Sequence, residues 1–226
     1  MESCRILVNP WDVDRRLGEF DLTRNAVLIA VKRGVLAAAA CTPNHPPSFP
    51  GISLWAEAMC GLADERASVG FRRVNEGGQP LIIHPTRDLA FTVAAGDEFT
   101  GIEGGKTPAT KSSKGPRTVE AVRLNLNGWL FPEMQEEATA SAEESARIER
   151  ARRNTWFLLI YLNIAAQVYR CELSLPTHLD DQQRIDDWSE RILLGEFPFG
   201  DGARAGNDGG EPPMTDEITL EVKRRA

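Results

Sequence analysis

The residues that could do chemistry concentrate in one loop. The stretch 93-VAAGDEFTGIEGGKTPATKSSKGPRTVEAV-122 leaves a predicted strand, passes an acidic pair and ends at a predicted helix. Asp97 and Glu98 directly follow the strand, where carboxylates can bind Mg²⁺ or act as acid–base groups. The same Gly-Asp-Glu sequence is also ordinary turn chemistry. A catalytic role and a structural role are therefore both open for this pair.

A basic cluster closes the same loop. Lys111, Lys114 and Arg117 precede a helix predicted to start near Thr118. The free amides and the dipole of a helix N-terminus favour negative charge, so these residues are a candidate anion or partner-binding site. The anion could be a phosphate, a carboxylate or a nucleic-acid backbone. A mobile basic loop before a normally capped helix explains the same residues without a ligand.

A nucleotide-binding P-loop is excluded, although 101-GIEGGKT-107 ends in Gly-Lys-Thr. That motif needs four residues between its first glycine and the Gly-Lys pair. Gly101 and Gly105 enclose only three residues. Pro108 then follows where the phosphate-binding helix should begin.

The other candidate side chains are isolated. His84 ends a predicted strand and could act as a general base, but the sequence has no serine or cysteine nucleophile motif. His45 and His178 have no second histidine or cysteine at ligand spacing, so no metal site is predicted. Trp188 lies in the polar segment 177–189 and is a candidate interface anchor.

Composition limits the class of protein. The 226 residues are 42 % apolar and 26 % charged, with a net charge of −7, which suits one globular domain and disfavours general attraction to nucleic acid or anionic membranes. The sequence lacks the ~20 consecutive apolar residues of a membrane helix and lacks a signal-peptide pattern. Four scattered cysteines without a CxxC pair predict free thiols. We therefore expect a cytoplasmic protein without a membrane segment or a cofactor.

Three helices are predicted to position the loop, over 24–41, 52–69 and 118–130. Thr23 is a good N-cap for the first helix. Its small side chains recur at three- and four-residue steps, so that another backbone can approach closely; they are Val27, Ala30, Val31, Gly34, Val35 and Ala38. The buried side of the second helix is predicted to contain Ile52, Trp55, Met59 and Leu62. Four prolines predict that 42–51 is a stiff, extended crossing.

Two blocks of strands, about 71–95 and 155–197, complete the predicted architecture. Together they predict an α+β fold, with a mostly antiparallel sheet packed against two or three helices. The segment 155–162 is apolar on both faces and is predicted to be a central strand. The polar segment 177–189 is predicted to be an exposed loop or a single helical turn.

Residues 1–199 are predicted to form a single α+β domain. It contains a charged insert at 132–153 that is either disordered or a solvated helix. Residues 200–226 are predicted to be a flexible Gly-rich linker followed by a segment that could add an edge strand.

These observations favour a non-enzymatic binding or accessory protein. We expect it to dock on a larger partner, a protein or protein complex, through the irregular loops 42–51 and 96–117. The alternative is a metal-dependent phosphoryl-active hydrolase, a nuclease or phosphatase, that uses Asp97, Glu98 and the basic 111–117 loop. A third alternative is a nucleic-acid-binding module without chemistry. The first expectation assumes that 96–117 lacks the rigid support that reactive groups require.

Overall fold

The computed structural model describes residues 4–127, 150 and 152–199. In this part of the chain, seven strands form one sheet in the order β1-β7-β6-β5-β4-β3-β2, and four helices pack on it. The strands are β1 Arg5–Leu7, β2 Arg72–Glu76, β3 Gln79–Ile83, β4 Leu89–Ala95, β5 Asn154–Asn163, β6 Val168–Leu179 and β7 Ile185–Pro198. The helices are α1 Pro10–Gly18, α2 Arg24–Ala39, α3 Phe49–Ala67 and α4 Pro116–Asn127.

The predicted α+β class is confirmed, but the sheet is mixed. β4 runs parallel to β5 and β1 runs parallel to β7, whereas the other neighbouring pairs are antiparallel. Parallel neighbours need a crossover instead of a hairpin. The chain between β4 and β5, which includes α4, is that crossover. It joins the two predicted strand blocks into one sheet, as expected, but through a parallel pair and not an antiparallel one.

The α2–α3 pair is packed as closely as its small residues predict. The Thr23 hydroxyl caps α2 by accepting the N–H of Ala26 at 3.2 Å. The whole predicted face of α2 is buried. A Cβ at Gly34 would lie 2.4 Å from the carbonyl oxygen of Leu54, so only glycine allows this approach of the two backbones.

Helix α3 differs from the prediction at its start. It begins at Phe49, because Pro50 lies in the first turn, where its missing N–H has no helical partner to lose. The preceding residues 42–48 form hydrogen-bonded turns, not an extended crossing. The buried face also differs from the prediction: Ile52 is 51 % exposed and Trp55 is half-buried, and the face consists of Leu54, Ala58, Met59, Gly61 and Leu62.

Two other segments also correct the sequence analysis. Residues 10–18, which the sequence analysis did not assign to a helix, form α1, whose N-cap Asn9 accepts the N–H of Trp11 at 3.0 Å. The segment 177–189 is neither an exposed loop nor a helical turn, because most of it belongs to the β6–β7 hairpin.

Both faces of the sheet are covered. Helices α1, α2 and α3 pack on one face against Phe91, Trp156 and Leu158. Helix α4 covers the other face, where its Val122 packs near Phe157 and Trp188. β5 has buried side chains on both faces, which confirms the predicted central strand.

Several predictions fall outside the described residues. These are the end of the third helix at 128–130, most of the charged insert 132–153, and 200–226. In the described part of the chain, no helix is long and apolar enough to span a bilayer. The four cysteines are free thiols, as predicted.

Candidate functional site

The loop that leaves β4 is anchored, contrary to the expectation that it lacks rigid support. Its neck is closed by the pairing of Gly96 with Thr110 and by the N–H of Asp97, which donates to the carbonyl oxygen of Ala109 at 3.0 Å. Such a compact loop with adjacent ends is an Ω-loop. We call residues 97–109 the Ω-loop. Its tip, residues 103–107, is exposed.

A buried ion pair clamps the Ω-loop to the sheet. Glu172 on β6 is fully buried and accepts from Arg191 on β7, at 2.6 Å from Nη2 and 3.0 Å from Nε. The same carboxylate accepts the N–H of Gly101 at 2.8 Å and the hydroxyl of Ser174 at 2.8 Å. Arg191 also donates to the carbonyl oxygen of Ile102 at 3.0 Å. The buried charges are therefore compensated, and they fix the position of the loop backbone.

Two further side chains of the sheet hold the Ω-loop. Arg170 donates to the carbonyl oxygen of Thr100 at 2.9 Å and to that of Glu98. The indole N–H of Trp188 donates to the carbonyl oxygen of Pro108 at 2.8 Å. Trp188 is only 1 % exposed, so it supports the loop from the core and is not the exposed interface anchor that the polar segment suggested.

The two residues of the acidic pair differ. Asp97 has a structural role, whereas the side chain of Glu98 is solvated. Asp97 accepts the N–H of Phe99 at 3.1 Å on one oxygen and the N–H of Ala109 at 3.0 Å on the other. Glu98 is exposed. Binding a metal at Asp97 would compete with the two amide bonds that hold the neck. Among the described residues, no group of three or more His, Cys, Asp or Glu side chains is arranged to hold a metal ion.

His84 lies at the opposite end of β4 from Asp97, roughly 20 Å away along a seven-residue strand. Its Nε2 lies 2.8 Å from the carboxylate of Asp21, and its Nδ1 accepts the N–H groups of Thr86 and Arg87. Both ring nitrogens are thus used to connect the β3–β4 turn to the α1–α2 connection. The structure does not bring His84 together with the acidic pair.

The basic cluster is only partly brought together. Lys114, Arg117 and Thr118 line one open cleft at the N-terminus of α4, which we call the α4 cleft. Lys111 is exposed and does not line it. Arg117 pairs with Glu120 at 2.9 Å. The side chain of Lys114 is half-buried, and burial lowers the pKa of its ammonium group to about 8.

Three residues of this region were not predicted from the sequence to be functional. Glu172 and Arg191 anchor the Ω-loop, and Gln79 lines the α4 cleft. A charged residue at an inward-facing position of a strand is a usable signal, and Glu172 shows it between Cys171 and Leu173. Gln79 has no such signal, because its burial depends on non-local packing.

Comparison with known proteins adds no functional assignment. The chain matches no protein-family model, and neither the curated proteins nor the solved structures give a significant match.

Proposed function

We propose that this chain is a non-enzymatic binding protein that docks on a larger protein partner. The observation that carries the proposal is the Ω-loop, which is clamped by the Glu172–Arg191 ion pair while its tip at 103–107 is left exposed. A loop that is ordered before binding loses little conformational entropy on association. It therefore suits a contact surface.

The positive charge on and after the Ω-loop indicates which kind of partner surface would bind. Lys106, Lys111, Lys114 and Arg117 follow one another without an acidic residue between Glu103 and Glu120, in a chain whose net charge is −7. Such a basic stretch favours an acidic surface on the partner and speeds the encounter with it.

The turn segment 42–48 belongs to the same proposed surface. It leads into α3, and Trp55 of α3 lines the α4 cleft together with Lys114. Trp55 lies six residues after Phe49, which is about 9 Å along the helix. The 96–117 loop thus lines the α4 cleft through Lys114, and the 42–48 segment is joined to the cleft through α3.

Site-specific photocrosslinking tests the proposal. A photoreactive residue at Gly104 should be tolerated, because a Cβ there would meet nothing within 4 Å. The matched control is Val69, which is 47 % exposed and follows α3. We expect one dominant protein adduct from an extract of the source organism at position 104 and none at 69.

The purified partner then gives the decisive measurement. The double variant Lys106→Glu/Lys111→Glu should weaken its binding at least tenfold at low salt, because both exposed charges become repulsive. An equal affinity of this variant and the parent would overturn the proposal. So would the absence of an adduct at 104, or the same adduct at both positions.

A further inference from the structure

The α4 cleft exists because β3 and β4 separate. The two strands pair only at Ile82–Phe91 and Ile83–Ala90, and beyond Phe91 the link is the hydroxyl of Thr92, which donates to the carbonyl oxygen of Pro80 at 3.0 Å. The gap is an open cleft of about 250 Å³. It is bounded by α3, the β2–β3 turn, β4, and the start of α4.

The charge in the α4 cleft is positive. Lys114 and Arg117 line it, and no carboxylate does so among the described residues. Arg117 is already paired with Glu120. The backbone N–H of Lys114 donates to the carbonyl oxygen of Gln183 at 2.7 Å, but its ammonium group has no hydrogen bond or ion pair in the described part of the chain. Burial is what lowers the pKa of this ammonium group. The cleft therefore holds a cation that lacks a counter-charge.

A second, independent group in the cleft lacks a partner. Gln79 is only 8 % exposed, and its side-chain amide nitrogen is buried without an acceptor within the described residues. A buried donor left in this state costs about 1–3 kcal/mol. Gln79 lines both the α4 cleft and a smaller neighbouring cavity, and an oxygen atom of a ligand in the cleft would satisfy this nitrogen once the side chain turns toward it.

The N-terminus of α4 supplies backbone donors at the same place. The residue before the helix is Gly115, which has no side-chain oxygen to cap the amides of Arg117 and Thr118. Both residues line the cleft. Uncapped first-turn amides and the helix dipole attract an anion.

The remaining walls are apolar and partly aromatic. Trp55, Val93 and Phe157 line the cleft together with two prolines, Pro80 and Pro116. Trp55 is half-buried, so part of its ring is accessible to a ligand. A bare inorganic ion would leave these walls unused, whereas an apolar or planar group attached to the anion would cover them.

A smaller cavity on the other side of Gln79 does not compete as the site. It holds about 20 Å³, which is room for a single water molecule. Two of the three arginines that line it are paired with carboxylates, Arg153 with Glu76 at 2.8 Å and Arg117 with Glu120. The third, Arg150, has a buried Nε without a partner in the described part of the chain. This cavity is too small for a ligand, whereas the α4 cleft combines an uncompensated cation with a volume of about 250 Å³.

We propose that the α4 cleft binds an oxyanion, a carboxylate or a phosphate, that is carried on a small aromatic or apolar group. Lys114, the Gln79 amide and the first amides of α4 bind the oxyanion, and Trp55 packs against the attached group. This site does not depend on the docking surface proposed above, because its ligand is a small molecule.

Titrations of the full chain followed by amide NMR test the site with three probes: benzoate, phenyl phosphate and inorganic phosphate. We expect at least one aromatic probe to give saturable shifts at the backbone amides of Gly115, Arg117 and Thr118, at the Gln79 side-chain amide and at the Trp55 indole. That probe should bind at least tenfold tighter than inorganic phosphate. An affinity for inorganic phosphate equal to that for the aromatic probes would show that the apolar walls do not contribute to binding.

Paired lysine variants decide whether the cleft is responsible. Lys114→Met should weaken binding of the aromatic probe at least tenfold, whereas Lys111→Met, three residues earlier on the exposed part of the loop, should change it less than twofold. Gln79→Met should weaken binding about threefold to tenfold, with the other amide resonances unmoved, which shows that the fold is intact. No saturable shift in the parent, or unchanged binding by Lys114→Met, would refute the proposal.

Discussion

Two buried or half-buried charges near the Ω-loop have opposite environments. Glu172 is fully buried, but donors from Arg191, Ser174 and Gly101 surround its carboxylate. Lys114 is less buried, yet no group in the described part of the chain compensates it. In the first arrangement the cost of burying the charge is offset by its partners, whereas the second costs stability until a ligand supplies the missing charge.

Replacing Lys114 should therefore stabilise the unliganded protein. Burial lowers the pKa of Lys114 from 10.5 to about 8, so the unfolded state binds the extra proton between these values. Below pH 8 Lys114 is protonated in both the folded and the unfolded state, and the full free-energy cost of burying its ammonium group is present. This cost disappears as the pH rises from 8 to 10.5. Lys114→Met should raise the free energy of unfolding by about 1–2 kcal/mol at pH 7, a figure reduced for the partial exposure of the side chain.

Urea denaturation at pH 7 and pH 10.5 checks this result. The increase in the free energy of unfolding of Lys114→Met over the parent should be largest at pH 7 and close to zero at pH 10.5. The exposed Lys111→Met change is the control and should stay within about 0.5 kcal/mol at both pH values. A Lys114→Met variant that is less stable than the parent at pH 7 would contradict the argument.

Sequence reasoning selected Lys114, Arg117 and Thr118 because helix-start chemistry is local and visible in the chain. The sequence does not show that Lys114 is half-buried and Lys111 exposed, because both are lysines in one polar segment and only tertiary packing buries the first. Sequence reasoning also misjudged Trp188. The polar residues around this tryptophan lie on a hairpin whose alternate positions face inward, and periodicity is hard to recognise in so polar a segment.

At the level of elements, the Ω-loop holds its own neck through Asp97, but the sheet holds the rest of it. Its anchors are Arg170, Glu172, Trp188 and Arg191, which all come from β6 and β7. Each anchor lies 70 to 89 residues further along the chain than the loop residue that it contacts. Glycine, serine and lysine in the loop predict mobility only when such non-local contacts are ignored.

Removing one partner of the Glu172–Arg191 ion pair should lower the free energy of unfolding strongly. Arg191→Met leaves Glu172 buried without its counter-charge, and removing one partner of a buried pair costs about 3–5 kcal/mol. The double variant Glu172→Leu/Arg191→Met removes both charges and should recover most of this loss. It still lacks the acceptor for Gly101 and the donor to Ile102, so the Ω-loop should become accessible to trypsin at Lys106.

Urea denaturation and limited proteolysis separate the two effects. We expect low stability for the single variant, and near-parent stability with faster cleavage after Lys106 for the double variant. A loss below 1 kcal/mol in Arg191→Met would show that the pair does not hold the loop. Cleavage of the double variant at the rate of the parent would show the same.

Helices and strands were predictable to different degrees. The buried face of α2 follows from small residues at helical spacing, and the Thr23 cap is a local signal. The helix α1 had local signals as well, Asn9 as N-cap and Pro10 in the first turn, although its few apolar residues hid them. The parallel pairing of β4 with β5 has no local signal, because the chain between them encodes it only through its length and packing.

At the level of the whole molecule, one crossover builds both proposed surfaces. The chain leaves β4 and forms the Ω-loop over β6 and β7. It then returns as α4, which covers the same sheet face. The first turn of α4 closes the gap where β3 leaves β4. A hairpin between β4 and β5 would have produced neither surface, so the mixed sheet is the basis of both.

The Gly-rich composition after residue 199 predicts that the folding unit ends there. Phe199 directly follows β7 and is 7 % exposed. Its N–H donates to the carbonyl oxygen of Gln167 at 2.9 Å, and its ring packs near Tyr169. A chain that stops after Phe199 should therefore keep its free energy of unfolding within about 0.5 kcal/mol of the full chain.

A slightly shorter chain is the matched control. Stopping after Gly195 removes Phe197, which stacks on Tyr169, together with Phe199, and should cost about 3–5 kcal/mol or more because large buried side chains are lost. Urea denaturation followed by circular dichroism measures all three chains. If the 1–199 chain lost more than 2 kcal/mol, residues 200–226 would be part of the folding unit, and the domain boundary predicted from the Gly-rich composition would be wrong.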